Sequence, residues 1–167
     1  MAILDTHDFA CINSSDKNTK IVSKDNYVKI NSSGDYAKIA LIGDSARIDL
    51  EGYSNKLALG GDWANVNSFG YLTKISSIGD SVEIDTNDNS AKISSSGDYA
   101  KIESTGANSI ICCVGKRSMV KARKGSWITL AEWKDNIPIC LKTEFVDGER
   151  IKEDVWYKLV NGEFVEQ

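Results

Sequence analysis

The chain contains one proline, Pro138, and one histidine, His7, in 167 residues. It has no long apolar run and no stretch of strong helix formers. Each shortage removes a class of explanation. A membrane-spanning helix needs about 20 consecutive apolar residues, and none are present. No signal-peptide apolar region stands near the N-terminus either. A Ser/His/Asp or Cys/His nucleophile system would have only His7 to draw on, and that residue falls at a turn, so no catalytic residue is expected. The four cysteines, Cys11, Cys112, Cys113 and Cys140, form no C-x-x-C pair. Cys112 and Cys113 are neighbours and would point to opposite faces of a strand. Neither a disulfide framework nor a zinc site is expected, and reduced cysteines fit a cytosolic protein. Phosphate-cradling glycine loops are missing as well. The formal net charge of −4 is mild and by itself selects neither nucleic acid nor mimicry of it.

What is present is order. Ser, Asp, Asn and Gly dominate the first 120 positions, a composition that in random order would signal disorder. Yet an aliphatic residue stands at every ninth position, fourteen times without a break, from Ile3, Ile12 and Ile21 through to Ile111 and Val120. Gly recurs in its own slot at 34, 43, 52, 61, 70, 79, 97, 106 and 115, with Asp88 the one substitution in that run. The consensus is G-D-x-A-K-I-x-S-x. A small residue precedes each aliphatic by two, as at Ala37, Ala46, Ala64, Ala91 and Ala100. Positions two apart share one face of a strand, so the small and the large side chain point inward together. The Lys or Arg between them points to solvent, and Gly is expected to supply the unusual dihedrals of a corner.

The repeats alternate in kind, which reveals a second period. In one set the residue after the aliphatic is Asn13, Asn31, Asp49, Asn67, Asp85 and Glu103. In the other it is Val22, Ala40, Ala58, Ser76, Ser94 and Cys112, and this set carries Lys20, Lys38, Lys56, Lys74 and Lys92 before the aliphatic. A coil of 18 residues explains both patterns, whereas one of 27 would scramble them. The expected fold is all-β: a parallel β-solenoid of nine-residue repeats, two per coil, with about seven coils. At a strand spacing of about 4.8 Å the body is about 33 Å long. One sheet carries an acidic ladder and the other a lysine ladder. The calcium-binding nonapeptides have a different Gly-to-Asp spacing, and one carboxylate per coil cannot supply the six or more oxygens calcium takes. The Gly-Asp corners are expected to be solvated, and no metal and no cofactor is expected.

The repeat fades after Val120, dividing the chain into a solenoid at 1–123 and a C-terminal antiparallel β module at 124–167. Trp127 to Trp133 reads as a strand, and Ile139 to Val146 as a second that turns at Asp147-Gly148. Val155 to Val160 then meets Phe164 and Val165 across Asn161-Gly162, a two-residue hairpin signal. The module is expected to cap the last coil. The first coil begins at once, leaving strand edges that invite association. A homodimer is expected, with Trp156, Tyr157, Phe164 and Val165 as the candidate interface.

Trp127-Ile128-Thr129-Leu130-Ala131-Glu132-Trp133, then Val146-Asp147-Gly148-Glu149-Arg150-Ile151-Lys152, Asp154, Trp156-Tyr157, Leu159, Gly162 and Phe164-Val165-Glu166 resemble the closing module of phage and prophage proteins with Gly-Asp-Tyr-Ala repeats. The resemblance covers the module closely and the repeats in style. It implies a phage or mobile-element origin and no reaction, and with that origin a place in the host cytoplasm. The expected function is non-catalytic binding of a host protein or complex, in the manner of an anti-CRISPR or other host-defence inhibitor. The lysine ladder, Lys20, Lys38, Lys56, Lys74 and Lys92, is the candidate contact. Nucleic acid is the weaker partner expectation, because the chain is acidic overall and few aromatics lie near the ladder in sequence. A structural component of a virion or tail is the alternative.

Overall fold

A computed structural model describes residues 2–5 and 7–167 of the chain. Among the described residues are eighteen strands and no helix. The first seven are β1 (Ala2–Asp5), β2 (Cys11–Ser14), β3 (Lys20–Ser23), β4 (Lys29–Ser32), β5 (Lys38–Leu41), β6 (Arg47–Tyr53) and β7 (Lys56–Leu59). The next seven are β8 (Asn65–Tyr71), β9 (Lys74–Ser77), β10 (Glu83–Thr86), β11 (Lys92–Ser95), β12 (Lys101–Ser104), β13 (Ile110–Cys113) and β14 (Met119–Ala122). The chain closes with β15 (Trp127–Lys134), β16 (Ile137–Phe145), β17 (Trp156–Val160) and β18 (Glu163–Glu166).

Strands sort by parity into two sheets. One, the lysine sheet, runs β1-β3-β5-β7-β9-β11-β13-β15-β16. The other, the mixed sheet, runs β18-β17-β14-β12-β10-β8-β6-β4-β2. All pairings from β1 to β15 are parallel and keep an 18-residue step, as in Ile21↔Ile39, Ile39↔Leu57 and Leu57↔Ile75. The exception is the last, where Ile111 pairs with Ile128 after the repeat drops one residue. The two-repeat coil is therefore the one observed, with about seven turns. Lys38 and Arg47 lie on opposite sheets.

The aliphatic columns fill the space between the sheets. Ile21, Ile30, Ile48, Val66, Ile84, Ile102, Ile111 and Ile128 have no measurable exposure. The residues two places earlier are buried with them, Ala at 37, 46, 64, 91 and 100 and the larger Val28, Asn55, Thr73 and Val82 elsewhere. Fully burying an aliphatic side chain contributes about 1.5–3 kcal/mol, so these columns supply most of the cohesion.

The corners work differently from the sequence expectation. The left-handed residue of the repeated corner is not glycine, although Gly52 and Gly125 do hold φ of 115° and 91°. Thirteen non-glycine residues, from Phe9 to Arg117 at nine-residue steps, hold φ between 54° and 64°. Each occupies the third position of its repeat, and an L residue there costs about 1–2 kcal/mol. Hydrogen bonds between coils hold it there: the amides of Tyr27, Tyr36, Ser45 and Ser54 donate at 2.8 Å to the carbonyls of Asp44, Tyr53, Asp62 and Tyr71 in the next coil. Glycine is required for a separate reason, close approach. A Cβ on Gly97 would stand 1.9 Å from the carbonyl oxygen of Gly79, and one on Gly115 would stand 1.8 Å from that of Gly97. Asp88, the exception, is wholly buried, and its Oδ2 accepts from the Ser68 hydroxyl at 2.5 Å.

The expected boundary at 123/124 interrupts neither sheet. β15 stacks on β13 in parallel and only then does the chain reverse, so the antiparallel part of the lysine sheet is β16 alone. Asp135 and Asn136, both at positive φ, make the two-residue turn into β16, as such hairpins require. β17 pairs antiparallel with β14, setting Tyr157 opposite Val120 at the end of the aliphatic column. β17 and β18 form the expected hairpin across Asn161-Gly162.

Glycine's role at the corner is testable. Gly97→Ala should destabilise the fold by about 3 kcal/mol, the upper range for an overpacked site. Gly60→Ala, whose Cβ would come no closer than 3.5 Å to its nearest neighbour, the Ile42 side chain, should stay within about 0.5 kcal/mol of the parent. Chemical denaturation of the two variants distinguishes steric necessity from a general intolerance of side chains in the turns.

Candidate functional site

Consecutive strand pairings build the lysine row. β5 sets Lys38 on Lys20, β7 sets Lys56 on Lys38, and β9 sets Lys74 on Lys56; β11 adds Lys92. The buried aliphatic one residue later forces each lysine outward, because successive side chains alternate faces. Every one of the five is exposed. The neighbouring outward row is Val22, Ala40, Ala58, Ser76 and Ser94, small enough to leave a shallow trough of ≈ 250 Å³ beside Lys20, Lys38 and Lys56. Ile42 and Ile78, 60% and 68% exposed, stand past the far end of the strands.

No acidic side chain occupies an outward position on β3, β5, β7, β9, β11 or β13. Among the described residues none of the five lysines takes part in an ion pair. The mixed sheet contrasts with this. There Lys101 reaches Glu83 at 3.1 Å, Lys121 reaches Glu103 at 2.8 Å, and Arg47 reaches Asp49 at 3.6 Å. Its acids and amides also pair along the column, Asn31 Nδ2 donating to Asn13 and Asn67 Nδ2 to Asp49, both at 2.6 Å. The expected acidic ladder is thus a compensated one. Asp85 is its stressed member: burial first, then the charges of Glu83 and Glu103, raise its carboxyl above the ordinary range.

One corner between the two sheets carries a second ladder, and its side chains are engaged where the sequence reading left them solvated. Asp44 Oδ1 accepts the amide of Asp62 at 2.9 Å, Asp62 that of Asp80 at 2.7 Å, and Asp80 that of Asp98 at 2.7 Å. Asn26 does the same for Asp44. These side chains are structural acceptors tying coil to coil. On the opposite corner Tyr36, Tyr53 and Tyr71 form a line, with Tyr53 and Tyr71 stacked at 5.6 Å. They precede Lys38, Lys56 and Lys74 by two or three residues, at the corner that leads into the lysine sheet.

A larger cleft of ≈ 610 Å³ lies on the mixed sheet between Asn13, Asn31, Asp49, Glu51 and Phe69. Asn13, Asn31 and Asp49 are already engaged with neighbours on their own sheet, which distinguishes the cleft from the lysine row. His7 is exposed at the first corner. No group of three or more His, Cys, Asp or Glu converges in a metal-binding arrangement among the described residues. Cys113 is buried and its thiol is pushed up to about 12 by that burial. No helix among the described residues is long and apolar enough to cross a membrane.

Of the four candidate interface residues, Tyr157 is 2% exposed and meets Phe164 edge-on at 6.1 Å. Trp156 lies under the ammonium groups of Lys101 and Lys121, 5.0 and 5.3 Å from its ring centre. Only Val165, at 40%, keeps large apolar exposure. Three of the four are thus engaged within the chain. The module's apolar surface emerges instead on β16, where Ile137, Ile139 and Leu141 are 62%, 54% and 65% exposed. Compared with known proteins, the chain matches no family model, no curated protein and no solved structure.

Asp85 yields a pH prediction whose sign is fixed. Its folded pKa is raised, so the ionised carboxyl costs stability above that value and the cost disappears as pH falls below the unfolded one. Glu144, held low first by Arg150, and Asp147, held low by the amides of Glu149 and Ile151, behave oppositely. Their contribution is complete above the unfolded carboxylate value and is lost as pH falls through the folded one. Asp85→Asn should raise the melting temperature at neutral pH, with a gain that shrinks on acidification. Glu144→Gln should lower it at neutral pH and converge with the parent in acid.

Proposed function

We propose that this protein is a non-catalytic binding protein that presents its lysine sheet to an acidic surface of a macromolecular partner. One observation carries the reading: five ammonium groups in register on a flat sheet face, none of them in an ion pair among the described residues. At about 4.8 Å in water, two like unit charges repel by about 1 kcal/mol, and long side chains relieve this only by splaying. Elsewhere on the solenoid such repulsion is offset by an acid one coil away. On this face it is left for a partner to offset. The parallel ladder behind the row fixes the five backbone positions in a line before binding, so the ordering entropy lost is confined to the lysine side chains.

An acidic protein surface fits better than nucleic acid. The chain is negative overall, and the ladder of Asp44, Asp62, Asp80 and Asp98 runs along a corner bordering the same sheet. A long polyanion crossing the face would meet that acidic border, whereas a compact acidic patch would not. The similarity of the closing module to phage proteins supports a partner in the host cytoplasm, and inhibition of a host-defence complex is the form this reading takes. That last step rests on origin alone.

Capture from bacterial lysate provides the test. Lys38→Glu/Lys56→Glu/Lys74→Glu should lose the bound partner and keep its melting temperature, because outward strand positions do not touch the core. Lys29→Glu/Lys101→Glu on the mixed sheet should retain it. Binding to the parent should weaken steeply with salt, since the Debye length falls to about 3 Å at 1 M. Retention of the same partner by the triple variant would overturn the lysine-face reading and move the contact to the mixed sheet or the C-terminal module.

A further inference from the structure

β16 ends the lysine sheet, and among the described residues no strand lies on its far side. At nine residues it is the longest described strand, and it borders the most concentrated apolar surface. Trp127, 49% exposed, packs at 5.1 Å against Phe145, itself 38% exposed, and Ile139 and Leu141 continue along the same strand. Edge strands that are long and apolar promote pairing, and proteins usually blunt them with charge or proline. The one proline of the chain, Pro138, sits near the start of this strand. Beyond it the only charges are Lys142 and Glu144, both on the inner face and both ion-paired within the chain, and the outer face keeps Leu141 and Phe145.

The backbone of that stretch is oriented for pairing. The amide of Val146 donates inward to Ser126 at 2.9 Å. Peptide groups alternate sides along an antiparallel strand, so the amides and carbonyls of Leu141, Thr143 and Phe145 face away from β15. We propose that this edge pairs antiparallel with the same edge of a second copy, about a two-fold axis that sets Thr143 opposite Thr143.

Charge selects that register. A two-fold axis perpendicular to the sheet keeps each side chain on its own face, so one residue must oppose its own copy. Centred on Lys142 it would set lysine against lysine, and on Glu144, glutamate against glutamate. Centred on Leu141 it would set Lys142 against Cys140 and Glu144 against Pro138. Centred on Thr143 it sets each Lys142 opposite the second copy's Glu144, and each Leu141 opposite Phe145. Like charges directly opposite destabilise a pair, and unlike charges stabilise it. Within one chain Lys142 lies 3.5 Å from Glu144 and 2.6 Å from Glu163, and Glu144 also pairs with Arg150, so the second copy would extend an existing network of opposite charges across the seam. The same seam would pack Leu141 of each chain beside Phe145 of the other, burying their facing flanks, and join two lysine sheets into one.

Sedimentation of the parent protein should show a dimer of the 18.3 kDa chain, and Leu141→Asp should shift it to monomer with its melting temperature nearly unchanged. Cys140→Ser/Thr143→Cys, treated with a short bifunctional thiol crosslinker, should give a covalent dimer in high yield. Cys140→Ser/Ile139→Cys should not, since the two substituted sites would lie about 27 Å apart in this register. Monomer mass at every concentration up to the millimolar range overturns the proposal. So does a dimer that Leu141→Asp leaves intact, or one that crosslinks through position 139 as readily as through 143. Lysine-face binding is read separately, because the crosslinking residues lie outside the lysine row.

Discussion

The close approach of successive coils at their corners is the constraint on which the rest of this structure depends. Strands stacked at about 4.8 Å are ordinary, but here the turns must stack as tightly as the strands. The carbonyl oxygen of one coil occupies the space a side chain would take in the next, as Gly79 does beneath Gly97. The residue two places later must then turn left-handed to bring its amide under the carbonyl of the following coil. Asp or Asn between them accepts the next coil's amide with its side chain, so one short tripeptide satisfies the corner's backbone groups in both directions. A buried amide left unpaired in such a turn would cost about 1–3 kcal/mol, which these inter-coil bonds avoid at the corners where they form.

That stacking has an electrostatic consequence. Any outward position becomes a row of chemically similar groups, repeated every coil. Where the sequence alternates Glu83, Lys101 and, one column over, Glu103 and Lys121, the row neutralises itself. Where it repeats lysine, the charge accumulates. The protein therefore divides its surface: a compensated sheet, a corner whose acids are engaged as hydrogen-bond acceptors, and a cationic sheet whose five stacked amines take part in no ion pair among the described residues. The functional proposal depends on this division rather than on the net charge, which hides it.

The C-terminal segment resolves the far end of the stack in two different ways. On the mixed sheet the core is capped: Tyr157 continues the aliphatic column, Phe164 packs on it, and two lysines stand over the Trp156 ring, with the short β18 as the edge. On the lysine sheet the inward positions of β16 are Lys142 and Glu144, held by Glu163 and Arg150, which end the core with charge. Its outward positions are largely apolar, and its far edge has no neighbouring strand among the described residues. The two edges therefore differ in length and in character, four residues at β18 against nine at β16.

Local spacing in the sequence carried the coil. Periods of nine and eighteen are properties of which residue recurs where, and burial of an aliphatic every ninth position leaves little freedom in how the chain can be wound. The outward placement of Lys20, Lys38, Lys56, Lys74 and Lys92 follows from the same alternation. The hairpin at Asn161-Gly162 was also legible, since its turn chemistry is local. What required tertiary structure was everything decided between coils. Glycine's purpose at the corner was misassigned to its dihedrals, because the oxygen that excludes a Cβ belongs to a residue eighteen positions away. Asp in the G-D-x corner read as solvated, because its amide partner is equally distant. Trp156, Tyr157 and Phe164 looked like surplus apolar surface, and only their packing on Val120, Lys101 and Lys121 shows that the chain itself covers them. The exposed edge passed instead to Ile139, Leu141 and Phe145, whose alternating pattern cannot reveal which side of a strand will lack a neighbour.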